Sequence, residues 1–260
     1  MTAAERGEVP HHGLDLVDPD EPFSVSDFAR HADTVLAGLA AADRLAILAG
    51  GTGFYLRAIA RGLDVDALPH DPSVRAGLEA ALREGGLGSL AARLRAEAPT
   101  LAGRIDLHNP RRVVRALEIA MLRGDGPLPE PRGYPAPVLW LGLTVAPAAH
   151  REWIARRARA QFDAGLVDEA AHLRERYDPT LPAFSAIGYR EAWAVIDGEL
   201  PLEAAIELDV RRNIAFAKRQ ATWFRAEPEI EWLDATEADP TPAALERIRS
   251  FLGQRYATGP

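Results

Sequence analysis

Apolar positions along this chain fall partly into short continuous runs and partly into longer stretches of helical spacing, and the alternation of the two predicts an α/β fold. Residues 1–22 are polar, apart from a short apolar stretch at Leu14 to Val17 that reads as an edge strand or a loop. Ser26 is placed to cap a helix whose apolar residues Phe28, Val35, Leu36 and Leu39 recur at roughly helical spacing. Leu45 to Ala49 then reads as a short buried strand, followed at once by Gly50, Gly51, Thr52 and Gly53 and by the helical run FYLRAIARG. From Pro72 to about Arg123 the pattern is helical, broken at Gly85-Gly86 and at Asn109-Pro110.

The Gly- and Pro-containing stretch from Gly124 to Pro137 fits a linker that returns the chain to the first layer. Val138 to Val145 is nearly continuously apolar, as a parallel strand covered on both faces would be. Helices follow at 148–164, 167–176 and about 201–225, the last with Pro201 in its first turn. Ile230 to Leu233 reads as a last strand and 242–252 as a closing helix. The expected organisation is an α/β core of residues 1–70 and 137–260 with a helical insertion at 71–136.

Composition narrows the chemistry. Hydrophobic residues make up 47% and charged residues 26% of 260, which is ordinary for a globular protein and allows one large domain or a core with an insertion. No apolar run approaches the length of a membrane span, and the N-terminus lacks the apolar core of a signal peptide, so a cytoplasmic location is expected. With no cysteine, disulfides, thiol nucleophiles and thiolate-held metals are excluded, and any metal must be held by oxygen or histidine. A net charge of −8 by itself argues against a bulk electrostatic nucleic-acid binder, although the distribution of charge matters more than the total. The single lysine, Lys218, precedes Arg219, so the sequence contains no Gly-Lys-Ser/Thr phosphate loop.

Several constellations could carry function. The small residues Gly50, Gly51, Thr52 and Gly53 before a helix suit a phosphate, because backbone N–H groups can approach it and the helix start adds partial positive charge. A tight turn that needs glycine at positive φ explains them equally well. On the long helix Arg211, Lys218 and Arg225 recur every seven residues, forming a basic stripe with Arg212 and Arg219 beside it and Phe216 and Trp223 on a neighbouring face. Such a stripe can track a phosphate backbone; the alternative, a solvated face paired with local acids, is weakened because acids are sparse between 210 and 225. Arg111, Arg112 and Arg115 open a helix where cations oppose its dipole, so a partner anion is expected, with Glu118 the nearest candidate. Arg156, Arg157 and Arg159 repeat the theme. His11 and His12 with Asp15, Asp18 and Asp20 match no metal-ligand spacing, and surface polarity accounts for them.

Taken together, the strings VPHHGLDLVDPDEPFSVSDF, LAGGTGFYLRAIARGL, NPRRVVRALEI, FSAIGYREAW and RRNIAFAKRQATWFR resemble the tRNA dimethylallyltransferase family, also called tRNA isopentenyltransferases. They occur in family order across nearly the whole chain. The resemblance implies a P-loop-kinase-like parallel sheet, here without its N-terminal strand, and a helical insertion that grips the anticodon stem. It implies transfer of a dimethylallyl group from dimethylallyl diphosphate to N6 of the adenosine 3′ of a tRNA anticodon. By that resemblance Thr52, Arg75 and Arg157 are the catalytic candidates, with Gly50, Gly51, Thr52 and Gly53 forming the diphosphate loop, Arg75 near the flipped base and Arg157 on the prenyl diphosphate. Contacts to tRNA would come from Arg111, Arg112, Val113, Val114 and Arg115, from Ser185, Ala186, Ile187, Gly188, Tyr189 and Arg190, and from Lys218, Arg219, Gln220, Ala221, Thr222, Trp223, Phe224 and Arg225.

Members of that family begin with a strand and a P-loop and continue into an Asp-Ser segment that supplies a general base and the contacts to Mg2+, the implied cofactor. This sequence opens where that second segment would end. A late start codon or a truncated gene, in preference to an evolved variant, is expected to account for the difference, and the chain is expected to be a monomer with a marginal core and little transferase activity. Two rival readings remain from the sequence: a non-catalytic tRNA-binding remnant, and a P-loop kinase relative acting on a small metabolite. The absent loop lysine counts against the second.

Overall fold

The computed structural model describes residue 7, residues 9–65 and residues 67–257, with side chains to residue 253. Its chain divides into two compact units, one of residues 1–24, 39–56 and 136–260, the other of Val25–Gly38 and Arg57–Pro135. The second unit thus takes in two stretches beyond the 71–136 insertion read from the sequence.

In the helical unit, α1 (Val25–Ala41) begins just after Ser24, so Ser26 lies inside the first turn instead of capping it. The run after Gly53 forms α2 (Gly53–Ala60), whose last residues belong to this unit. Helix α3 (Pro72–Glu97) starts at Asp71, whose carboxylate accepts hydrogen bonds from the Ser73 and Val74 amides at 2.7 and 3.2 Å, with proline in the first turn. It is broken at Gly86, where φ is +73° and ψ 170°, as the Gly85-Gly86 pair predicts. Short α4 (Pro99–Ala102) and α5 (Pro110–Arg123) pack on α3. Asn109 caps α5 through the Arg112 amide at 3.2 Å. Leu78, Leu90, Leu94, Leu101, Val113 and Leu117 meet in the core of this unit. The linker is not free. Arg132 and Gly133 donate backbone hydrogen bonds to Gly62 and Arg61, and Arg132 pairs with Asp64.

The larger unit holds a two-stranded parallel sheet, β1 (Trp140–Thr144) and β2 (Ile230–Asp234), in the register Trp140 to Ile230 through Thr144 to Asp234. Between them run α6 (Pro147–Asp163), α7 (Leu166–Arg176), a 3-10 turn at Pro182–Ser185, α8 (Tyr189–Ile196) and α9 (Leu202–Arg225), and α10 (Thr241–Ala257) follows. Ala158, Phe162, Ala170, Phe184, Trp193, Ala205 and Ile206 form the core that joins α6 to α9. Phe184 meets the rings of Tyr189 and Trp193 edge-on.

Two strand expectations fail. Residues 44–50 have no regular structure and Ile47 is 85% exposed, because an apolar run becomes a strand only where a neighbour supplies ladder partners, and among the described residues only β1 and β2 pair. Nor is β1 covered on both faces, since Leu143 remains exposed, as does Trp232 on the neighbouring β2. Of the two alternatives at Leu14 to Val17, the chain there is the loop. Gly142 is required where it stands, since a Cβ there would lie 2.7 Å from the Trp232 ring.

The break in α3 gives a test that separates backbone strain from packing. A Cβ meets nothing within 4 Å at either Gly86 or Gly88. Gly88→Ala, in helical backbone, is expected to raise stability by about 1 kcal/mol. Gly86→Ala should lower it by about 1–3 kcal/mol, the cost of a positive-φ, extended-ψ backbone that is essentially confined to glycine. Chemical denaturation of the two variants checks both signs.

Candidate functional site

Helix α9 organises the larger unit. At 100° per residue, Asp209, Asn213, Phe216, Gln220 and Trp223 fall along one side, while Arg211, Lys218, Thr222 and Arg225 fall along the opposite side. The first set does most of the local bonding. Gln220 Nε2 donates to the Gly51 carbonyl at 3.0 Å, a Cβ at Gly51 would sit 2.0 Å from Gln220 Nε2, and one at Gly53 would sit 2.1 Å from the Trp223 ring. None of Gly50, Gly51 and Gly53 has positive φ. The glycines at 51 and 53 are therefore demanded by close approach to α9, not by the turn. Gly50 is exposed with open space around it, as is the Thr52 residue, whose carbonyl accepts the Tyr55 and Leu56 amides at the start of α2.

One turn to two turns earlier on the same side of α9 lies a buried polar hub. Glu191 and Asp209 are each 1% exposed. Glu191 accepts the Gly188 amide at 3.0 Å, closing the start of α8 where Gly188 has φ +116°, and pairs with Arg212. Arg212 thus leaves its predicted place beside the basic stripe. Asp209 accepts a 2.7 Å hydrogen bond from Asn213 Nδ2, and Asn213 Oδ1 accepts one from Arg157 at 3.1 Å. Burial raises the Asp209 carboxyl above its ordinary range and the nearby Glu191 charge adds to this, against the pull of Asn213, Arg157 and Arg212.

Lys218 and Arg225 on the other side of α9, and Arg219 between the two sides, are exposed, and none has an ion pair among the described residues. Arg211 lies 3.7 Å from Glu207. The Arg219 guanidinium rests 5.6 Å from the Phe216 ring centre. Of the expected 218–225 contact segment, Gln220 and Trp223 instead support the glycine loop, and Phe224 packs edge-on against Trp223. Thr222 is exposed and bonds its hydroxyl to the Lys218 carbonyl, while Ala221 is half-buried.

In the segment 185–190, Ser185, Ala186 and Arg190 are exposed, Ile187 is half-buried, Gly188 is buried and the Tyr189 hydroxyl donates to Glu169 at 2.8 Å. Burial first, then that bond to Glu169, pushes the Tyr189 hydroxyl up to about 12.

In the helical unit Arg111 and Arg112 are exposed, but Val113 and Val114 are buried in the core and cannot reach a ligand. Arg75 and Arg115 converge on Glu118, which is fully buried: its Oε2 accepts from Arg75 at 2.5 Å and Arg115 at 2.7 Å, and its Oε1 accepts the Asp71 amide at 3.0 Å. Arg115 also donates to the carbonyls of Leu68 and Pro69. Glu118 is thus the anion expected for this arginine cluster, and it holds Arg75, a residue 43 positions away that the helix pattern gave no reason to connect with it. Burial works to raise the Glu118 carboxyl, but hydrogen bonds from Arg75, Arg115 and the Asp71 amide outweigh it and hold it below the usual carboxylate range.

Comparison with known proteins supplies the family. The IPP transferase family matches residues 1–227. The chain belongs to the IPP transferase family. It is 36% identical to a tRNA dimethylallyltransferase of Synechococcus sp., over 99% of this chain and 75% of that protein. It is 40% identical to one of Thioalkalivibrio sulfidiphilus, over 97% of this chain and 81% of the relative. The crystal structure of the full-length tRNA isopentenylpyrophosphate transferase of Bacillus halodurans superposes with a TM-score of 0.68 at 35% identity, covering 97% of this chain and 80% of that one. A eukaryotic dimethylallyltransferase superposes at 0.75 with 19% identity, a likeness of fold alone. The fold is accordingly the α/β, P-loop-kinase-like fold of the tRNA isopentenyltransferases.

Mg2+ finds no ligand set here, since among the described residues no three His, Asp or Glu side chains converge. Those residues do not fit the ion.

The Glu118 cluster generates a prediction. Breaking a buried ion pair from one side costs about 3–5 kcal/mol. Arg75 and Arg115 stay 42% and 30% exposed, so Glu118→Gln should cost about 3 kcal/mol, the lower end of that range. A carboxyl with a depressed folded pKa stabilises above its unfolded value of 4.5 and loses that contribution as pH falls through the folded one. Denaturation of the parent should therefore weaken more steeply with acid below about pH 4.5 than that of Glu118→Gln.

Proposed function

We propose that this chain is a tRNA-modifying prenyltransferase that moves a dimethylallyl group from dimethylallyl diphosphate to N6 of the adenosine 3′ of the anticodon. Membership of the IPP transferase family supports the reaction class, and relatives named tRNA dimethylallyltransferase support both substrates. The carrying observation is that Asn213 and Gln220, two turns apart on one side of α9, hold Arg157 and the Gly51 carbonyl. Two turns span about 10 Å, so a single bound donor could reach the arginine and the glycine loop together.

The bond that breaks joins the allylic carbon to the diphosphate oxygen, and the bond that forms joins that carbon to N6, whose proton passes to the departing diphosphate or to water. Negative charge grows on the leaving diphosphate. Arg157, with one guanidinium edge on Asn213 and the rest exposed, is assigned to neutralise that charge, and the exposed Thr52 hydroxyl and Gly50 amide are assigned to the donor beside it. Lys218 and Arg225 on the outer side of α9, and the exposed Arg219 flanking them, are assigned to tRNA phosphates, with Arg111 and Arg112 on the helical unit and the exposed Ser185, Ala186 and Arg190 as further contacts. Arg75 acts near the target base through the edge left free by Glu118. The adenosine must leave the loop stack to react, at a cost of a few kcal/mol that an anticodon loop minimises.

A tRNA substrate would meet this protein in the cytoplasm, as a monomer. Among the described residues no helix is long and apolar enough to cross a membrane.

Filter binding tests the tRNA assignment. Lys218, Arg219 and Arg225 replaced together by Ala should weaken tRNA binding and flatten its salt dependence by roughly one log–log unit for each phosphate no longer neutralised. An isolated anticodon stem-loop should compete with tRNA, and an acceptor-stem hairpin should not. An unchanged salt slope overturns the assignment of this surface, and equal competition by both hairpins overturns the anticodon arm.

A further inference from the structure

The Arg157 guanidinium does not hang free on α6; it is held from across the helix pair by an amide whose orientation is itself fixed. Asn213 is nearly buried, and its Nδ2 donates both to the Asp209 carboxylate at 2.7 Å and to the Asp209 carbonyl at 3.2 Å, one turn back along α9. The Asp209 carbonyl can only accept hydrogen bonds, whatever the protonation of the side chain, so the NH2 end of the amide faces Asp209. The oxygen is then obliged to face Arg157, which can only donate. Reversing the amide would set two donors against each other on one side and two acceptors on the other. Asp209 is buried, and a Cβ added at Gly188 would lie 3.5 Å from its Oδ2, so the carboxylate sits against the start of α8 and not in solvent.

We propose that Asn213, oriented by Asp209, is a positioning residue for Arg157: it holds one edge of the guanidinium so that the remaining N–H groups are presented to the leaving diphosphate. The inference rests on the assignment of Arg157 to the diphosphate under the proposed function. Neither Asn213 nor Asp209 touches the donor in this account. Pre-ordering matters because an arginine side chain otherwise gives up considerable rotational freedom on binding an anion, and a side chain already held gives up less.

The experiment is a double-mutant cycle on the full chain, read by calorimetric titration with dimethylallyl diphosphate and, separately, by filter binding of tRNA. Asn213→Ala should weaken donor binding about tenfold, in keeping with removal of one hydrogen bond to a charged group, and leave tRNA affinity unchanged. Arg157→Ala should weaken donor binding at least as much. In the Arg157→Ala background, Asn213→Ala should add nothing, because it acts only through the arginine. Additive losses, or equal loss of tRNA affinity, would show a merely structural role and overturn the proposal. Should Asn213→Ala fail to fold, Asp209→Asn serves instead: it frees the amide to turn either way and should weaken donor binding about threefold, again only when Arg157 is present. If Arg157→Ala leaves donor binding intact, or the parent binds no donor, the assignment of Arg157 fails first and this inference falls with it. If Arg157→Ala weakens binding while neither partner variant does, the assignment stands and the positioning role alone is wrong.

Discussion

The larger unit depends on one helix having two unlike sides. Along the inner side of α9, Asp209 orients Asn213, and Asn213, Gln220 and Trp223 each meet something outside the helix: the Arg157 side chain, the Gly51 carbonyl and the backbone of Gly53. Along the outer side, Lys218 and Arg225 carry charge that nothing described in the protein neutralises. A helix that is bonded on one side and cationic on the other can face a small anion and a large one at once, without either competing for the same groups. Residues three, four and seven apart share a face, which is why this separation of roles needs only the helix itself.

The helical unit solves a different problem. Three arginines near one helix start are unfavourable alone, since they oppose its dipole. Burying Glu118 among them turns Arg75 and Arg115 into fixed structure and leaves Arg111 and Arg112 exposed. The desolvation of Glu118 is offset only because three donors meet it, so the cluster is stable as a set and fragile to loss of any member.

How much of this was legible in the sequence differs by feature. Helices α6, α7 and α9 and both strands were read close to their observed bounds, because their apolar spacing and proline positions are local signals. The run at Leu45 to Ala49 was misread, since strand formation depends on a pairing partner that composition does not disclose. Glycines at 51 and 53 were attributed to turn geometry or phosphate approach, whereas their neighbours are Gln220 and Trp223, distant in sequence. Arg212 was placed beside the basic stripe, and only the fold reveals that Glu191 claims it. Val113 and Val114 were carried with their arginine neighbours into the contact surface, although apolar residues flanked by cations on a helix turn inward. Asn213 and Asp209 left no signal that reading along the chain could separate from ordinary polarity.

The division of α9 into two working sides can be tested through its sole lysine, because Lys218 is the only lysine in the protein and stands on the outer side. The measurement is the rate at which an amine-specific acylating reagent modifies Lys218, followed by peptide mapping, with tRNA or with dimethylallyl diphosphate present. The account predicts that tRNA slows this modification in a salt-sensitive manner and that the donor alone leaves it unchanged. Equal rates with and without tRNA, or protection by the donor alone, would contradict it.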